Sequence, residues 1–169
     1  MNYQNAILFQ KLFLELVSAG RDLEWFHGTT LANATSIQAA GLSNIPFGTN
    51  GGSNLGNAFY VSNSINEAMK YTTVSPSSYG HNTANAPTGA ILVYTLKNYA
   101  GVLLDDNSSH AKRMEQIKKE PDFTTMHDWA SKNNISAYGF MGFPRNDFRI
   151  KLAVYDTRIL ELKHVLEVK

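Results

Sequence analysis

Between Ala6 and Val17, apolar Ile7, Leu8, Leu12, Leu14, Leu16 and Val17 surround polar Gln10, Lys11 and Glu15. This spacing predicts an amphipathic helix within residues 1–20 that stops before Gly20. Leu23 to Phe26 then reads as a buried strand, and Ala32 to Ala40 as a short helix closed by Gly41. Glycines 48, 51, 52 and 56 among Asn and Ser predict a flexible loop over 43–57, with a second over 75–89. "AFYVS" predicts a strand, "INEAMKYTT" a helix, and the β-branched and aromatic run "AILVYTL" the clearest strand of the chain. Residues 108–120 suit a charged helix and "DFTTMHDWASKN" a second, N-capped by Asp122. "FRIKLAVYD" and "LKHVLEVK" read as two strands joined by a turn. Strands spread along the chain without regular strand–helix alternation predict an α+β fold with mainly antiparallel sheet.

Composition bounds the chemistry. The 169 residues, 43% hydrophobic and 17% charged with net charge +1, suit one domain spanning 1–169. Near-neutral charge without runs of like charge argues against a protein that holds nucleic acid chiefly through its phosphates. No cysteine is present, so thiolate metal sites, thiol nucleophiles and disulfides are excluded. Residues 6–17 lack the basic head and uninterrupted apolar core of a secretory signal, and no apolar stretch is long enough to span a bilayer. A cytoplasmic protein without membrane association is expected, with export by a route needing no signal peptide left open. His81, His110, His127 and His164 show no ligand spacing, and no metal is assigned.

Four blocks in order, "FHGTT", "NLGNAFYVSNSINEAMKYT", "GAILVYTL" and "AVYDTRILELKHVLEVK", together resemble the ADP-ribosyltransferase superfamily. The likeness is to its diphtheria-toxin-like branch, which includes the poly(ADP-ribose) polymerase catalytic domains. That resemblance implies two packed, mainly antiparallel sheets with flanking helices and a cleft between them that takes NAD⁺ as substrate. It gives His27 the hydroxyls of the adenosine ribose, and Gly28 the nicotinamide carboxamide through backbone N–H and C=O. Thr29 would add a hydroxyl near the ribose or phosphates, and Tyr60 and Tyr71 would sandwich the nicotinamide ring.

Two positions depart from the family's pattern. Lys151 stands where the family usually has a catalytic Glu, and Ala68 where it often has a Ser that donates to the carboxamide. A carboxylate there stabilises the positive charge that develops as the glycosidic bond breaks; an ammonium opposes it. At about 4 Å and an effective dielectric of about 20 that swing is several kcal/mol. Asp147 lies four residues upstream on the same strand, roughly 13 Å away, so only a register shift or bulge would substitute it. Otherwise Lys151 would lose its proton on desolvation or contact the pyrophosphate, with Asp105, Asp106 or Asp156 supplying the acid.

The resemblance therefore implies an NAD⁺-dependent ADP-ribosyltransferase that transfers one unit and releases nicotinamide. The alternative is a catalytically weak or inactive module that binds NAD⁺, ADP-ribose or another protein through the same cleft. A third reading is plain NAD⁺ hydrolysis. The expected acceptor is a protein, with nucleic acid left open, and the expected state a monomer. Residues 105–145 would form the face that meets the acceptor, with Met141, Phe143 and Arg145 as a contact patch or a core cluster.

Overall fold

A computed structural model of the chain describes residues 23–42, 58–72, 88–119, 126–141 and 149–168, together with Leu14 and Ser18. The predicted N-terminal helix therefore lies almost wholly outside the described residues, as do both Gly- and Ser-rich loops and Asp122.

The described residues form an α+β fold. Strands β1 (Trp25–Thr30), β2 (Phe59–Ser62), β3 (Gly89–Leu96), β4 (Val102–Asp106), β5 (Ala137–Met141), β6 (Ile150–Val154) and β7 (Leu160–Val168) alternate irregularly with helices. The helices are α1 (Leu31–Ala40), α2 (Ile65–Met69), α3 (Asn107–Lys119) and α4 (Met126–Lys132), with a 3-10 turn over Thr157–Ile159. All strands belong to one seven-stranded sheet in the order β4-β5-β6-β2-β1-β3-β7. This corrects the expectation of two packed sheets. Antiparallel pairing predominates, and β4 and β5 are parallel because a crossover containing α3 and α4 joins them.

The sheet nevertheless has a seam. β1 and β3 pair along six positions and β2 and β6 along four, but β1 meets β2 only at Phe26↔Ser62. Two halves, β1-β3-β7 and β2-β6-β5-β4, thus share a single register position.

Side-chain alternation sorts the core onto the two faces. On one face Trp25, Phe59, Leu92, Tyr94, Leu152 and Val154 pack continuously across the seam beneath Ala34 and Ile37 of α1. On the other face the core is divided. Ala68 of α2 covers Ile91 and Val93, whereas Ile117 of α3 and Met126 of α4 cover Tyr138 and Ala153. β3 is buried along its whole length, which is why its sequence is an unbroken apolar run.

Local chemistry sets the helix ends. Thr30 caps α1 by accepting from Asn33 N–H at 3.1 Å, and Gly41 ends it with φ 74°, its N–H bonded to Ile37 O at 2.8 Å. β1 extends to Thr30, four residues beyond the predicted strand end at Phe26, so His27, Gly28 and Thr29 belong to a strand and not to a turn. The predicted helix over 65–73 is a single turn and a half, Ile65–Met69, followed by turn residues through Tyr71. Within residues 105–145 the two predicted helices appear as α3 and α4, and the end of β4 and the whole of β5 are added to them.

Candidate functional site

The seam carries the site. Just past Phe26↔Ser62 the two strands part, and the His27 ring nitrogen Nδ1 lies 2.6 Å from the carbonyl oxygen of Tyr60. A carbonyl only accepts, so Nδ1 carries the proton and Nε2 keeps its lone pair as an acceptor. Desolvation by burial pushes the imidazole pKa down from 6.5 to about 4, outweighing the opposite pull of the Tyr60 bond. The ring is therefore neutral at physiological pH. It is further fixed by stacking on Phe59, centroids 4.1 Å apart.

Gly28 follows on the opposite face of β1. A Cβ here would lie 1.8 Å from Ala68 O and 2.8 Å from its carbonyl carbon. Only a glycine lets the end of α2 approach β1 this closely. The absent side chain thus serves helix packing, while the main chain of residues 27–30 on the β2 side has no ladder partner among the described residues. Thr29 is engaged locally, its Oγ1 accepting from Asn33 Nδ2 at 3.3 Å.

Tyr60 and Lys151 share the face on which Gly28 lies, because β2 and β6 pair Tyr60↔Ala153 and Ser62↔Lys151. Tyr60 is partly buried against Tyr138 and Ala153. Tyr71, just beyond α2, bonds its N–H to Ala68 O at 3.0 Å, and its hydroxyl accepts from Lys151 Nζ at 3.4 Å. The Lys151 ammonium lies 5.9 Å from the Tyr71 ring centroid. Gly28, Tyr60, Tyr71 and Lys151 are thereby gathered on one face of the sheet near the end of α2, whereas the His27 ring lies on the other face, against Phe59.

The residue that sequence reasoning missed is Glu67. Its side chain is 5% exposed, and its carboxylate meets Lys151 Nζ at 2.8 Å, Lys70 Nζ at 2.9 Å and Arg149 Nη1 at 3.2 Å. Burial alone would raise its pKa, but hydrogen bonds and charge from Lys151 and Lys70 hold it down to about 2. A signal was available: Ser64-x-x-Glu67 has the spacing of a capping box. Ser64 does cap α2, accepting from Glu67 N–H at 3.3 Å. The reciprocal bond is displaced because Ser64 N–H donates to Ser62 Oγ at 3.1 Å, which releases the Glu67 carboxylate for the three cations.

Lys151 stays protonated. Desolvation pulls its pKa down, but Glu67 and Tyr71 outweigh it and the net shift is upward. The contacts to Glu67 and Tyr71 thus oppose neutralisation of Lys151 by burial. Asp105 and Asp156 are engaged away from Lys151. Asp105 pairs with Arg113 through Nε and through Nη2 at 3.0 Å, and accepts from Tyr138 OH at 2.8 Å. Asp156 caps the 3-10 turn and pairs with Arg158 at 2.9 Å. The side chain of Asp106 lies outside the described residues, as do Asp147, Phe143, Arg145, His81 and the side chains of Met141 and His110. His127 packs edge-on against Tyr155, and His164 is exposed on β7. Among the described residues no group of three or more His, Asp or Glu is placed to hold a metal ion, and no helix is long and apolar enough to cross a membrane.

No protein-family model matches the chain, and no curated protein matches its sequence.

Proposed function

We propose that the chain is an NAD⁺-dependent ADP-ribosyltransferase that adds a single ADP-ribose unit to a macromolecular acceptor, with protein the expected acceptor. The observation that carries this reading is the His27–Tyr60 contact at the seam. It leaves a neutral imidazole with Nε2 as an acceptor suited to a ribose hydroxyl on one face of the seam, the main-chain edge at Gly28 at the seam itself, and two tyrosines suited to a flat pyridinium on the other face. In the reaction the C1′–N bond of the nicotinamide ribose breaks and its electron pair leaves with nicotinamide. The ribosyl cation is captured by an acceptor nucleophile, which gives up its proton to solvent. The test is labelled NAD⁺ with lysate and purified chain: transfer of label to a macromolecule with nicotinamide release supports the reading, and neither at high protein concentration removes it.

A second reading is favoured by the Lys151–Glu67 contact. An ammonium beside the seam disfavours the developing ribosyl cation, and the nearby carboxylate is already shared among three cations. On this reading the same site binds NAD⁺ or ADP-ribose without turnover. Calorimetric NAD⁺ binding in the absence of nicotinamide release selects it.

A further inference from the structure

Glu67 is nearly inaccessible, at 5% side-chain exposure, but the heads it holds are not: Lys70 is 30% exposed, Arg149 41% and Lys151 40%. What the cluster turns outward is therefore cationic, organised by an anion beneath it. Lys70 and Arg149 share Oε2, and Lys151 takes Oε1. The three come from the end of α2 and from positions 149 and 151 beside and within β6, which alternation places on one face. Fixing three flexible cationic side chains costs conformational entropy, and that cost is met on folding, before any ligand arrives.

We infer that Lys70, Arg149 and Lys151, held by Glu67, form a binding site for a phosphate group. A phosphate monoester carries a charge of about −1.5 to −2 and several strong acceptor oxygens, enough to meet an ammonium pair and a guanidinium at once. A singly charged carboxylate offers two oxygens and half the charge. Glu67 sits under the cluster as its organiser, and Tyr71, whose hydroxyl lies 3.4 Å from Lys151 Nζ, borders it. The inference goes beyond the NAD⁺ reading and does not depend on it.

The test is titration of the full chain with inorganic phosphate at constant ionic strength, followed by calorimetry or by amide NMR shifts, with acetate as control. Saturable phosphate binding is expected, with acetate much weaker. Lys70→Ala keeps the Lys151 and Arg149 contacts to Glu67 and should weaken binding about tenfold, the ordinary effect of deleting one charge-assisted hydrogen bond. Lys151→Ala should do the same and Lys151→Arg should retain binding, with circular dichroism checking the fold of each. Phosphate binding no stronger than acetate, or unchanged in Lys70→Ala, overturns the site. Repeating the titration with saturating NAD⁺ assigns the source of the phosphate: displacement means the dinucleotide's own diphosphate, and additive binding means a phosphate-bearing acceptor. Phosphate binding without nicotinamide release retains this site while removing the transferase; release without phosphate binding does the reverse.

Discussion

The ammonium of Lys151 sits 2.8 Å from Oε1 of Glu67, tying β6 to α2 on the face of the sheet where Tyr60 and Tyr71 lie. The strand contributes the cation and the helix the anion.

Acid should weaken the fold through this pair. The folded pKa of Glu67 is depressed from 4.5 to about 2, so its contribution is fully present above pH 4.5 and is lost as pH falls through 2. At 5% exposure for the carboxylate but 30–41% for its partners, the contribution is at most about 3 kcal/mol. Urea midpoints measured from pH 5 to pH 2 should fall in the wild type, and much of that slope should vanish in Glu67→Gln.

His27 should act in a higher window. Its folded pKa is lowered from 6.5 to about 4, so below pH 6.5 the unfolded chain takes up a proton that the folded imidazole refuses. Stability therefore falls by up to about 3 kcal/mol as pH drops from 6.5 to 4. His27→Gln should flatten this window in the same urea series. NAD⁺ affinity from pH 5 to 8 should show no imidazole titration, and a clear inflection near pH 6.5 would contradict the neutral ring.

Gly28→Ala should be among the most damaging small substitutions. The new methyl would lie 1.8 Å from a backbone oxygen, so α2 must move. A loss of at least about 3 kcal/mol is expected. Gly41→Ala, where nothing lies within 4 Å but φ 74° with ψ −169° is a backbone region almost confined to glycine, should cost about 1–3 kcal/mol. Urea unfolding of both variants checks the contrast.

Moving the carboxylate from helix to strand should favour turnover. Lys151→Glu alone sets two carboxylates against each other and should destabilise the fold. The double variant E67Q/K151E leaves one carboxylate for Lys70 and Arg149 and places it on β6. Nicotinamide release should rise at least about tenfold over wild type, which corresponds to about 1.4 kcal/mol. No increase in a folded double variant would show that charge at position 151 does not limit the reaction.

Strong local signals made much of the fold legible. The apolar run of β3, the charged helix α3 and the Gly41 stop of α1 all appear near their predicted places. β4 escaped notice because its short apolar run ends in Asp105 and Asp106, residues unfavourable in strands, and β5 because it contains Gly139, where a Cβ would lie 2.2 Å from Lys151 O. A short strand broken by glycine has almost no period to read. That the strands form one sheet rests on the single pairing Phe26↔Ser62, a contact between distant segments without any local signature. Sequence motifs singled out His27, Gly28, Tyr60, Tyr71 and Lys151 as candidates, and the last four share one face of the sheet. Glu67 was visible only as half of a Ser64-x-x-Glu67 capping box; its pairing with Arg149 and Lys151 depends on β6 meeting α2, a contact between distant segments.

The strand order has a consequence for synthesis. One half of the sheet draws on strands 1, 3 and 7 and the other on strands 2, 4, 5 and 6, so their segments interleave along the chain. No single cut releases either half as an intact fragment. β7 pairs with β3 from Gly89↔Val168 to Leu96↔Leu160, so a ribosome must deliver residue 168 before that ladder can close.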